Sequence, residues 1–147
     1  MEITGEFRIP LERDRVWQAL NDPDILKSAI PGCESMEREA ADRFSARLLT
    51  RIGPVKAKFS AVLTLSNINP PVSYTITGEG KGGPAGFGRG GADVSLEADG
   101  DETVLRYVAR MQVGGKLAQV GSRLVEGAAR KIADDFFSRF VTALAGT

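Results

Sequence analysis

The sequence predicts an α+β domain in which a curved, seven-stranded antiparallel sheet wraps around one long C-terminal helix. Three observations predict it. Six stretches alternate apolar and polar residues with period two, and a seventh does so less regularly. Turn-forming clusters separate several of these stretches, and an amphipathic run without proline extends from Lys116 to about Leu144. The chain has 147 residues, 42% of them hydrophobic, which suits a single domain over 1–147 with a real core.

The first strand is read from Ile3, Gly5, Phe7 and Ile9, which alternate with Glu2, Thr4, Glu6 and Arg8. Two short helices follow. Glu12–Asn21 carries Val16, Trp17 and Leu20 at helical spacing, and Asp22-Pro23 is an N-cap with proline at the first helical position of a segment ending near Ile30. Pro31-Gly32 stops that helix. Cys33–Ala40 is the least regular strand.

Phe44, Ala46 and Leu48 form one face of the next strand, and Val55, Ala57, Phe59, Ala61, Leu63 and Leu65 one face of the strand after it. Val72, Tyr74 and Ile76 share a face, as do Val94, Leu96 and Ala98, and then Leu105, Tyr107, Ala109, Met111 and Val113. Gly53-Pro54, Asn69-Pro70-Pro71 and Asp99-Gly100-Asp101 supply turn chemistry. Such one-sided alternation describes an antiparallel sheet with one buried face.

The last helix shows two apolar stripes. Leu117, Val120, Gly121, Leu124 and Ala128 form the first; Ile132, Phe136, Phe140 and Leu144 form the second, displaced by roughly 100–120° at ~100° per residue. A bend or a change of packing environment is expected near Gly127.

Seven strands at ~4.8 Å spacing make a sheet roughly 30 Å wide, whereas a helix with its side chains is ~10–12 Å across. The sheet must curl around the helix. Many expected inward positions are small, among them Gly5, Ala46, Ala57, Ala61, Ala109, Gly121 and Ala128. Small residues facing a curved sheet leave an apolar cavity suited to an apolar ligand. The alternative is a core filled by Phe44, Phe59, Tyr74 and Met111, and both readings stay open at this point.

Several function classes are excluded or disfavoured. The chain has no histidine, which removes Ser-His-Asp and Cys-His nucleophile systems, His-ligated zinc and His general bases. No catalytic or metal-binding residue is nominated. Nineteen basic and nineteen acidic residues give zero net charge, against a general nucleic-acid binder. No apolar run reaches the ~18–20 residues of a membrane span, and the N-terminus lacks a signal core. One cysteine, Cys33, precludes an intrachain disulfide framework, so a cytoplasmic location is expected.

Gly78–Gly91 carries eight glycines in fourteen residues and contains GxGxxG spacing twice. A phosphate cradle needs a helix N-terminus after the glycines, but a strand follows here. The segment is read instead as a mobile hairpin loop, a candidate lid over the cavity, with Lys81 and Arg89 either meeting an anionic partner or keeping the loop soluble. Cys33 reads as a buried structural thiol, Trp17 as a core anchor and Asp134-Asp135 as a solvated face. Residues 103–147 carry seven basic and three acidic groups, an excess that suits an anionic membrane surface or an acidic protein as well as an ordinary solvated face.

The order strand, two helices, six strands, long helix resembles the START-like helix-grip superfamily, also called SRPBCC. Within it, several motifs resemble the CoxG family of carbon monoxide dehydrogenase subunits. They are Val16–Pro23, Ile30-Pro31-Gly32-Cys33-Glu34, Gly53–Phe59, Gly78–Gly83, Val113–Gln119 and Phe136-Phe137, spread over essentially the whole chain.

The resemblance implies a helix-grip fold with a hydrophobic cavity and an accessory, non-enzymatic role beside molybdenum-containing carbon monoxide dehydrogenases and related hydroxylases. It implies no covalent cofactor, a bound quinone or other isoprenoid lipid, and recruitment of the enzyme to the inner face of the cytoplasmic membrane. Longer relatives carry a tail that can contact the membrane. This chain stops at Thr147, so ligand carriage is the firmer expectation.

For such a ligand the candidate lining is Phe44 and Leu48, Phe59 and Leu63, Tyr74 and Ile76, then Phe87, Tyr107 and Met111. Leu117, Gly121 and Leu124 are the helix's share. Their role is apolar enclosure, with Tyr74 or Tyr107 offering a hydroxyl to a ligand carbonyl. A polyketide cyclase or aromatase shares this fold and would need polar groups in the cavity. An assembly factor acting through its surface would need no ligand.

Overall fold

The computed structural model describes residues 1–145. β1 (Glu2–Ile9) leads into α1 (Arg13–Leu20) and α2 (Pro23–Ala29), followed by β2 (Cys33–Ala40), β3 (Arg43–Ile52), β4 (Val55–Asn69), β5 (Ser73–Lys81), β6 (Phe87–Asp99) and β7 (Glu102–Gly114). A four-residue helix α3 (Lys116–Gln119) precedes the long α4 (Ser122–Ala145). All seven strands form one antiparallel sheet in the order β1-β7-β6-β5-β4-β3-β2. The sheet curves around α4 in a helix-grip arrangement, as expected.

Local chemistry fixes the short helices. The Asp22 carboxylate accepts a hydrogen bond from the Asp24 N–H at 2.9 Å, capping α2, while Pro23 takes the first helical position. α1 buries Val16, Ala19 and Leu20. Together the two helices close the end of the sheet where β1 finishes.

Strand pairing sets which residues face inward. Phe44 pairs with Leu63, Leu48 with Phe59, Tyr74 with Val94 and Leu96 with Leu105, which puts the apolar alternates of neighbouring strands on one face. The outward face is polar. Arg106 bridges Glu6 at 3.3 Å and Glu97 at 2.5 Å, and Arg110 bridges Glu2 at 3.7 Å and Asp93 at 3.4 Å. These exposed pairs contribute little to stability, but they neutralise two of the cations behind the C-terminal charge excess.

The expected change of stripe at Gly127 is not found: α4 runs unbroken from Ser122 to Ala145. Val125, Ala129, Ile132, Phe136, Phe140 and Leu144 make one continuous stripe toward the sheet. The break lies at Gly121, whose φ of +95° cannot continue a right-handed helix. The apolar residues before it belong to α3, a separate turn with its own orientation. Leu124 falls off the stripe and is 52% exposed.

The glycine-rich stretch is likewise a correction. Most of it is strand, and only Gly82–Gly86 turns the chain, through a 3-10 turn at Gly83–Ala85. Gly78 pairs with Gly90 and Gly80 with Gly88 across β5 and β6. Glu79 and Arg89 point outward from the same ladder, so the period of two persists through the glycines.

Candidate functional site

The interior has two unlike ends. At the end covered by α1 and α2 the core is solid. Phe140 and Ile9 are fully buried, Phe44 and Leu105 nearly so, and Trp17 meets Tyr74 edge-on with ring centroids 5.4 Å apart. Phe137 stacks on Phe7 at 4.2 Å and fills the space toward β1. The closed-core reading therefore holds for this half.

At the other end, under α3 and the first half of α4, the interior is hollow. A cavity of about 240 Å³ is floored by Leu48, Thr50 and Ile52 of β3, Phe59, Ala61 and Leu63 of β4, and Met111 and Val113 of β7. Leu117 of α3 and Val125, Ala129 and Ile132 of α4 roof it. Between β4 and β7 the floor consists of Gly78, Gly80 and Gly88, which have no side chain to fill the gap. The hollow thus comes from sequence: β5 and β6 carry Tyr74, Ile76 and Val94 at the solid end and only Gly78, Gly80 and Gly88 under α4.

The lining is almost wholly apolar. Glu79 is its single ionisable member, and it belongs to the outward register, with its carboxylate 3.9 Å from the Lys81 ammonium. Larger hollows lie on the outer sheet face, one beside Glu2, Arg89 and Arg110 and one beside Glu34, Glu37 and Arg47. They are lined by charged side chains, without the apolar lining an apolar ligand needs.

Five of the residues nominated from sequence meet in this cavity: Leu48, Phe59, Leu63, Met111 and Leu117. The others lie elsewhere. Phe44, Tyr74 and Ile76 pack in the solid half. Burial there pushes the Tyr74 phenol well above its ordinary pKa and keeps it neutral. Tyr107 lies flat over Gly5, where a Cβ would strike its ring, and stacks on Phe137 at 6.1 Å. Its pKa is raised by burial and by the nearby Asp134 charge. Phe87 is one residue out of phase with the inward Gly88 and is 37% exposed. Gly121 and Leu124 are exposed because the chain breaks at Gly121.

Sequence reasoning missed Thr50, Ile52 and Val113, which only continue alternations already recognised. It missed Val125, Ala129 and Ile132 because the stripe was phased from Leu117 across the break. The glycine floor was concealed by reading glycine as loop. The signal was there in the outward Glu79, Lys81 and Arg89, two residues apart on their strands.

Cys33 is half-buried, its thiol donates to the Ser35 carbonyl at 3.3 Å, and burial raises its pKa, so it is a structural thiol. Asp135 pairs with Lys131 at 2.9 Å on the outside of α4. Among the described residues no helix is long and apolar enough to cross a membrane.

Comparison with known proteins places these features. Residues 5–145 match the family model for the CoxG subunit of carbon monoxide dehydrogenase. The chain is similar to a conserved protein from Geobacillus kaustophilus, with 33% identity over 99% of this chain and 96% of that one, and a TM-score of 0.92. It shares its fold with the Zhui aromatase/cyclase from Streptomyces sp. R1128, at 12% identity over 99% of this chain and 93% of that one, with a TM-score of 0.71. A protein from Thermus thermophilus is 17% identical over 99% of this chain and 98% of that one, with a TM-score of 0.73. No curated protein matches the sequence.

Proposed function

The chain belongs to the CoxG family of carbon monoxide dehydrogenase subunits, and from that premise we propose that it is a non-enzymatic carrier of an apolar ligand, a quinone or other isoprenoid lipid. The carrier serves a molybdenum hydroxylase of the carbon monoxide dehydrogenase type and helps couple that enzyme to the membrane. The observation behind this reading is the apolar hollow lined by Leu48, Phe59, Leu63, Met111 and Leu117 over a floor of glycine.

Its size constrains the ligand. About 240 Å³ is below the ~300–1,000 Å³ usual for small-molecule pockets. It suits a quinone head group with a short substituent, and a long isoprenoid chain must extend outside. Burying an apolar ring there gains roughly 25 cal/mol for each Å² removed from water.

A cyclase or aromatase reading needs an acid or base inside the cavity. Glu79 alone is ionisable at the lining, and it faces outward beside Lys81. An assembly factor without a ligand has no use for the hollow. Calorimetric titration with a short-chain naphthoquinone tests the reading. Saturable one-to-one binding is expected, and a flat titration with both naphtho- and benzoquinones rejects it.

A further inference from the structure

The wall of the hollow contains a polar side chain that the fold itself does not use. Among the described residues that line the cavity, Thr50 alone carries a hydroxyl. It stands on the inner face of β3, in line with Phe44, Ala46, Leu48 and Ile52, where valine would have the same shape and no polar atom. Other threonine hydroxyls are committed within the protein. Thr75 donates to the Asp93 carboxylate at 2.9 Å, Thr77 to the Thr64 carbonyl at 3.3 Å and Thr103 to the Leu11 carbonyl at 2.7 Å. The Thr50 hydroxyl makes no such bond to a described residue, and the side chain is half-buried.

The local structure keeps that hydroxyl accessible. Opposite Thr50 in the β3–β4 ladder is Ala57, whose side chain is a single methyl. On the other side, β2 pairs with β3 only as far as Leu48, and the Leu49 N–H donates to the Gly32 carbonyl at 2.8 Å. Beyond that point β3 is the edge of the sheet. Thr50 therefore sits where the apolar wall meets an uncovered edge.

A ring that carries oxygen loses water from that oxygen on entering the hollow. A buried polar atom without a partner costs more than a hydrogen bond returns. Phe59, Val113 and Leu117 offer no partner, and the N–H groups of the floor are taken up in the ladders of β4 to β7. The two tyrosines expected to supply a hydroxyl lie elsewhere, Tyr74 in the solid half and Tyr107 against Phe137. Thr50 remains. Its hydroxyl both donates and accepts, so it can serve a ring carbonyl or a ring hydroxyl.

We propose that Thr50 is the specificity-determining residue of the cavity: its hydroxyl bonds an oxygen on the ligand's ring and so favours an oxygen-bearing ring over a hydrocarbon of the same shape. The ring is thereby oriented, with its oxygen toward β3 and its hydrocarbon edge toward Phe59 and Leu117. The proposal rests on the carrier reading and adds the chemistry that the ligand must present.

Equilibrium dialysis of the full chain tests it with two probes of one shape. One is a naphthoquinone methylated at both free quinone carbons, to which Cys33 cannot add; the other is the hydrocarbon dimethylnaphthalene. Thr50→Val should lower quinone affinity about five-fold and leave hydrocarbon affinity within about two-fold. Thr50→Ser, which keeps the hydroxyl, should hold the quinone-to-hydrocarbon ratio near that of wild type. Thermal melts establish that both variants fold. An unchanged ratio in Thr50→Val overturns the proposal and leaves the carrier reading standing. A ratio that falls equally in Thr50→Ser also overturns it, because shape and not the hydroxyl then decides. A wild-type protein that binds neither probe rejects the carrier reading and the proposal together.

Discussion

Leu63 leans into the space that a side chain on Gly78 would occupy: its Cδ2 lies 2.9 Å from the position a Cβ would take there. The pair shows how the hollow is made. A glycine in the middle of β5 gives up its side-chain volume, the neighbouring strand's leucine enters part of it, and the remainder stays empty.

Gly80 is the place to fill that remainder. A Cβ there meets only the Ala61 methyl, at 3.9 Å, an ordinary contact. Gly80→Val should fold with stability within about 1.5 kcal/mol of wild type, while quinone affinity drops at least ten-fold. Paired denaturant melts and calorimetry check both halves.

The chain break at Gly121 predicts effects of opposite sign at two exposed glycines. Gly121 has φ +95° and open space around its Cβ position, so conformation alone demands glycine. Gly121→Ala should cost about 1–2 kcal/mol. Gly127 lies within α4 and has equal room, so Gly127→Ala should stabilise by roughly 0.5–1 kcal/mol. Urea titrations measure both.

Strands were legible because alternation needs only one buried face, and even the least regular strand has the expected ends, Cys33 and Ala40. The cap at Asp22-Pro23 was legible because its chemistry is local. The helix break was not, since a glycine inside an amphipathic pattern reads equally as a tolerated residue or a stop. Five lining residues were found because they continue strand faces. Tyr74 and Phe44 were misplaced because alternation says which face a residue takes, not which end of the sheet is filled.

The solid half should behave as an ordinary core. Phe140 is fully buried, and Phe140→Ala should cost about 3–5 kcal/mol, the loss of buried surface plus a new void. Met111→Ala should cost well under that, because Met111 already borders empty space. Chemical denaturation of the two variants makes the comparison.

Alkaline pH should destabilise the protein through Tyr74. Burial raises its folded-state pKa above the ordinary value of about 10. The folded state then holds the proton that the unfolded state releases. Stability is fully present below about pH 10 and is lost as pH rises toward the folded-state value. Tyr74→Phe should flatten the fall in Tm above pH 10 without moving Tm at neutral pH by more than a few degrees.

Mass spectrometry of an organic extract of the protein, after exposure to total bacterial lipids and washing, tests the central claim most directly. Wild type should carry a stoichiometric apolar ligand, an isoprenoid quinone, and Gly80→Val should carry none. A wild-type protein that emerges empty, or that holds the same lipid as Gly80→Val, would contradict a carrier built around this cavity.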